Sequence, residues 1–175
     1  MPGGGVPMAS RPIDLQVFPA FRALVSRQWL RKVATLALRT ADPSGARGVS
    51  VVIADDLTLQ ELNLTYRGYD EVTDVLSFSP EHSADDAIPE VHRPSAEDPA
   101  FPAIQEEDEG FGEVVISYPQ AARQALEHEQ SLEQELALLL VHGVLHLFGH
   151  DHVEAEEEAT MREMEQRALA RVFPR

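Results

Sequence analysis

Seven histidines are spread along this chain, and four of them fall within eleven residues. The run is His142-Gly143-Val144-Leu145-His146-Leu147-Phe148-Gly149-His150-Asp151-His152. His142 and His146 are four apart, so on a helix they project from one face, one turn from each other. Gly149 can end that helix and turn the backbone. The turn brings His152 back toward the first two. Three converging imidazoles make a divalent-metal site, most simply one zinc ion with its fourth position open. An open position admits a water molecule, and hydrolysis then becomes an available chemistry.

The competing reading is that these are ordinary histidines of a buried helix. One imidazole would fit that reading. Two at this spacing on an apolar helix fit it poorly, because each buried nitrogen costs free energy unless it finds a partner. A third histidine after a glycine turn makes a metal the economical account. His150 sits on another side of the turn and is expected to be a non-ligand. His82, His92 and His128 are expected at the surface. The spacing of the three also matches that of metzincin proteases, which carry a glutamate general base directly after the first histidine. Here that position is Gly143, so the protease mechanism lacks its proton acceptor.

The elements that must hold these side chains are readable from pattern. Residues 19–39 predict an amphipathic helix, with Phe21, Leu24, Val25, Val33, Leu36 and Ala37 on its apolar side. Gly48–Ala54 reads as a β-branched strand and 57–66 as a helix capped by Asp56 or Thr58 and ended by Gly68. Residues 73–79 alternate like a strand, and Gly112–Ser117 is another. Pro119 opens a helix running to about Glu129. Near Ser131 a further helix is capped, and from Leu136 to Phe148 it is apolar nearly all round, which predicts burial. Residues 154–173 predict a charged helix with acids early and arginines late, as the helix dipole favours. The expectation is an α/β (α+β) domain over 19–175, a small mixed sheet covered by helices, with the metal site at the end of a buried helix. Residues 1–18 are expected to be a flexible N-terminal tail, and the proline- and acid-rich residues 80–110 an exposed loop insertion.

The net charge is −16 in 175 residues, which at first argues against a polyanionic partner. The distribution tempers this. Residues 81–110 carry ten acids and a single base, Arg93, while residues 1–80 balance at eight of each. Before residue 40 the bases lead, with Arg11, Arg22, Arg27, Arg31, Lys32 and Arg39 against Asp14. A nucleic-acid partner is therefore permitted. There is no cysteine, so any metal must be held by His, Asp, Glu or backbone oxygen. No apolar run approaches the roughly 20 residues of a membrane span, and no signal-like apolar segment opens the chain. These features predict a soluble, cytoplasmic protein with no membrane partner.

With Gly143 in place, the run from His142 to His152 resembles the signature of the YbeY family of metal-dependent RNA-processing proteins. Leu62-Asn63-Leu64-Thr65-Tyr66-Arg67-Gly68 followed by Thr73-Asp74-Val75-Leu76-Ser77-Phe78 resembles a second family block. Gly112-Glu113-Val114-Val115-Ile116-Ser117 resembles a third. The resemblance implies one Zn2+ held by His142, His146 and His152. It implies a single-strand-specific endoribonuclease acting in ribosomal RNA maturation, notably at the 3′ end of 16S rRNA, and in ribosome quality control. The partners it implies are single-stranded ribosomal RNA and the ribosome small subunit. It points to Arg67 as a catalytic arginine beside the metal cleft, where an always-charged, forked guanidinium would stabilise charge building on a phosphate. The reading that competes for Arg67 is a solvated arginine after a helix. Glu113 stands where the family usually has Asp, and the acidic stretch is longer than the family's usual connection. No general base is evident. Two other functions therefore stay open: a non-catalytic ribosome-assembly factor with a structural metal, and another kind of zinc hydrolase.

Overall fold

A computed structural model describes residues 13–44, 47–79, 111–150 and 154–175. The acidic stretch 80–110, expected as a loop insertion, lies outside the described residues, as does His152. In chain order the elements are β1 (Ile13–Val17), a 3-10 turn (Pro19–Phe21), α1 (Arg27–Ala41), β2 (Gly48–Ala54), α2 (Asp56–Arg67), β3 (Val75–Phe78), β4 (Phe111–Ser117), α3 (Tyr118–Glu127), α4 (Leu132–Leu147) and α5 (Ala155–Val172). The sheet order is β1-β2-β4-β3. β1, β2 and β4 run parallel, and β3 lies antiparallel to β4 at the edge. The mixed sheet under helices is the architecture expected from the sequence. No helix among the described residues is long and apolar enough to cross a membrane.

Two expectations change. The tail expected over 1–18 contains β1, because Ile13, Leu15 and Val17 alternate with polar residues and pair with β2. The helix expected over 19–39 starts only at Arg27, because the Ser26 side chain caps it by accepting from the Trp29 N–H at 3.2 Å. Ahead of that cap Pro19 opens only the short 3-10 turn, and Leu24 is left exposed.

β1 is the other edge strand, and its free carbonyls need partners. α1 and the segment before it supply them. Arg31 donates to the Ile13 carbonyl at 2.8 Å, Arg27 to Leu15 at 2.8 Å and Arg22 to Val17 at 3.1 Å. Three of the bases that lead the first forty residues are thus committed to binding a strand edge.

The two faces of the sheet differ. Leu15, Val17, Val49, Val51, Ile53, Val114 and Ile116 face the main core, which α1, α4 and α5 close with Leu30, Leu38, Leu140, Leu145 and Met161. Val52, Ala54, Leu76 and Val115 face the other way and pack on Leu59 and Leu62 of α2. On this second face the register aligns Asp14, Ser50, Glu113 and Phe78 in one row across all four strands. Burial, and secondarily the Asp14 carboxylate, push the Glu113 carboxyl up from 4.5 to about 7.

Folded Glu113 therefore holds its proton more tightly than the unfolded chain does. Its stabilising contribution is complete below about pH 4.5 and is lost as pH rises through about 7. Glu113→Gln should remove that loss. At pH 8 the variant should be more stable by on the order of 1 kcal/mol, or about 2–4 °C in Tm, after allowance for solvent screening of a half-buried group. The difference should shrink toward pH 4.5. A variant no more stable than the parent at pH 8 would show that the carboxylate is accommodated without cost.

Candidate metal centre

The site is built at the C-terminal end of α4. Its start is well defined: Ser131 Oγ accepts from the Gln134 N–H at 3.1 Å, and Gln134 Oε1 accepts from the Ser131 N–H at 2.9 Å. Glu135 in the first turn is fully buried and meets His128 Nδ1 at 3.1 Å. His128 lies at the surface as expected, and its ring also ties the α3–α4 turn to Glu135. The other end is closed by Gly149, whose φ is +80°. Its N–H donates to the His146 carbonyl at 3.1 Å, and the His150 N–H donates to Leu145 at 3.2 Å. This pair of bonds is the Schellman arrangement, which favours glycine at the left-handed position.

Between these ends α4 lies unusually close to the sheet. A Cβ on Gly143 would stand 2.6 Å from Val114 Cγ1 and 3.1 Å from Ser77 Oγ. A Cβ on Gly112 would stand 2.7 Å from Leu147 Cδ1. The Ser77 hydroxyl donates to the Gly143 carbonyl at 2.9 Å, joining edge strand β3 to the helix. Gly143 therefore does more than omit a carboxylate. It has no room for one.

One turn apart on α4, His142 and His146 meet. Their Nε2 atoms are 2.9 Å apart and their rings stand edge to face at 74°. His142 Nδ1 contacts Glu165 Oε1 of α5 at 2.5 Å. Two imidazole nitrogens turned toward one point, at a separation that a shared ion about 2.0–2.1 Å from each would span, are a donor set that fits zinc. Among the described residues no group of three or more His, Asp or Glu forms a cage. The expected third ligand, His152, lies outside them.

Arg67 ends α2 and is exposed. α2 covers the sheet face opposite α4. Tyr66 stands edge-on to Phe78 at 5.0 Å, and Phe78 pairs with Glu113, next to Gly112 under Leu147. Arg67 and the two imidazoles thus lie toward the same end of the sheet but on opposite faces. Among the described residues no hydrogen bond or ion pair joins Arg67 to either imidazole. Asp74 lies at the other end of the sheet. Its carboxylate accepts from the Val75 N–H at 2.7 Å and from Gln124 at 3.1 Å, and its carbonyl from the Ser117 N–H at 2.9 Å. Ser77 and Asp74 therefore act in the framework.

Sequence reasoning missed Glu165, which it left among the charges of the helix expected over 154–173. A signal was present. Glu165 falls four residues after Met161 and three before Ala168, both buried, and so lies on the packed face of α5.

The geometry defines a class: a mixed α/β protein with paired imidazoles at the end of a buried helix. The comparisons make it particular. The family model for endoribonuclease YbeY matches residues 20–172. An endoribonuclease YbeY of Dehalococcoides mccartyi is 41% identical over 169 residues, covering 91% of this chain and 89% of its own. One of Roseiflexus castenholzii is 39% identical over 158 residues, covering 90% of each. One of Moorella thermoacetica is 39% identical over 155 residues, covering 89% and 90%. The solution structure of a Thermotoga maritima protein shares the fold, with a TM-score of 0.55 at 22% identity, over 93% of this chain and 89% of that one. The chain belongs to the endoribonuclease YbeY family.

The close packing at Gly143 is directly testable. Gly143→Ala gains about 1 kcal/mol of helix propensity but forces a methyl against Val114, a β-branched side chain with no exposure. Overpacking of this kind costs about 1–3 kcal/mol. The variant should unfold at a lower temperature than the parent. A raised Tm would mean that α4 can lift from the sheet without loss.

Proposed function

We propose that this chain is a zinc-dependent endoribonuclease that cuts single-stranded RNA during ribosomal RNA maturation, at the 3′ end of 16S rRNA, and in ribosome quality control. The proposal places it in the cytoplasm with the ribosome small subunit as its partner. One observation carries it: two imidazole Nε2 atoms face each other at 2.9 Å at the end of α4, in a chain whose relatives are named as endoribonucleases.

In this reading His142 and His146, joined by His152, hold the ion. Zinc, when bound, supplies Lewis acidity, polarising a phosphoryl oxygen and making water more acidic. The chain's own contribution is to place that ion beside an RNA strand and to neutralise the phosphate. Arg67, exposed at the end of α2, presents a guanidinium fork that suits two phosphate oxygens. In this reading it meets a phosphate along the bound strand, since α2 and α4 cover opposite faces of the sheet. The lack of space at Gly143 disfavours the peptidase form of a zinc hydrolase, since the position cannot carry a glutamate base. The second reading, an assembly factor with a structural metal, is favoured by one observation: Arg67 lies on the other face of the sheet from the imidazoles.

Purified protein should contain about one zinc per chain and should cut single-stranded RNA in preference to duplex, with cleavage abolished by a chelator and restored by zinc. Metal-free protein that cuts equally well would overturn the reading. His142→Ala should stay folded while losing zinc and cleavage together. Normal rRNA maturation in cells carrying that variant would select the assembly factor. Arg67→Glu should slow cleavage by about 10²-fold with zinc content unchanged; an unchanged rate would remove Arg67 from the mechanism.

A further inference from the structure

Glu165 occupies a place on α5 where an apolar side chain would be expected. Met161, Ala168 and Val172 form the buried stripe of this helix, and Glu165 falls on it between the first two. The acids of the first turn, Glu156, Glu157 and Glu158, are exposed. A carboxylate drawn into a packed face costs free energy unless a partner answers it. The neighbouring cations do not: Arg162 pairs with Glu158 at 2.5 Å and Arg167 with Glu163 at 2.9 Å. The partner is His142, whose Nδ1 lies 2.5 Å from Glu165 Oε1.

An ionised carboxylate only accepts hydrogen bonds, so this contact requires the His142 proton on Nδ1. Nε2 is then left with its lone pair directed at the point it shares with His146 Nε2, 2.9 Å away. The ring cannot turn over without breaking the bond to α5. We propose that Glu165 is a positioning residue, which sets both the tautomer and the orientation of His142 so that Nε2 is presented to zinc. The inference rests on the metal reading above for its consequence, but the tautomer it assigns is a property of the metal-free protein too.

The experiment compares the parent, Glu165→Gln and Glu165→Ala. Imidazole ¹⁵N shifts of His142, recorded on metal-free protein at one pH, should show the Nδ1–H tautomer in the parent and its loss in Glu165→Ala. Zinc affinity, read by competition with a chromogenic chelator, should fall 10–100-fold in Glu165→Ala. Glu165→Gln keeps an acceptor without the charge and should fall by less. Thermal unfolding of the metal-free proteins reports folding separately. If Glu165→Ala fails to fold, the Gln variant carries the comparison. An Nε2–H tautomer in the parent overturns the inference. So does a variant with lowered Tm but unchanged tautomer and affinity, which would make Glu165 a packing residue only. A parent protein that takes up no zinc would sink the metal reading instead, and the ¹⁵N spectrum would still decide whether Glu165 sets the proton on His142.

Discussion

The arrangement depends on how closely α4 approaches the sheet. Gly143 and Gly112 each lack the side chain that would hold the two apart, and a Cβ at either would come within 2.6–2.7 Å of an apolar neighbour. Once seated, the helix is locked by the Ser77 hydroxyl on the Gly143 carbonyl and by a continuous apolar surface from Leu136 to Leu147. Interiors packed at crystal-like density move very little. The turn carrying His142 and His146 therefore inherits the rigidity of the core, and the imidazoles meet one turn apart on that helix. A loop could carry the same histidines but could not hold their nitrogens so firmly toward one point. The same glycine that the sequence marks as a missing catalytic base is, in the fold, a spacing device.

Charge is arranged with similar economy. The chain is strongly acidic overall, and the basic residues of its first third look at first like a surface for a polyanion. Arg22, Arg27 and Arg31 instead donate to the open carbonyls of β1. An edge strand covered by arginine is protected from pairing with other chains. Those three guanidinium groups are taken up by the strand edge, and Arg67 at the end of α2 is the one the family resemblance singles out. Binding to RNA would accordingly owe little to long-range attraction and more to local contacts at the site.

Family membership points to an RNA-cutting protein, and the proposed site chemistry rests on a different footing. Membership follows from similarity spanning about nine-tenths of the chain. The proposed chemistry is argued from two facing nitrogens and the carboxylate behind one of them. The opposite-face position of Arg67 is the feature that either reading must accommodate. In an assembly factor it would leave Arg67 free to meet a partner elsewhere.

Much of this was legible in the residues themselves. Helix α4 and the glycine that ends it, β2, the Ser131 capping box, the fold class and the i, i+4 pairing of His142 with His146 all depend on neighbours within a few positions, where backbone geometry leaves little choice. β1 escaped notice because five residues after a proline- and glycine-rich start resemble a tail until β2 pairs with them. Tertiary structure alone decided the rest. Ser77 and Gly143 stand 66 positions apart, and His142 and Glu165 stand 23 apart. No periodicity links such pairs. The chain's local pattern determined that two imidazoles would share a helix face. Only packing, which brings α5 and the sheet against that helix, decided which nitrogen each imidazole turns outward and that Gly143 could be nothing larger.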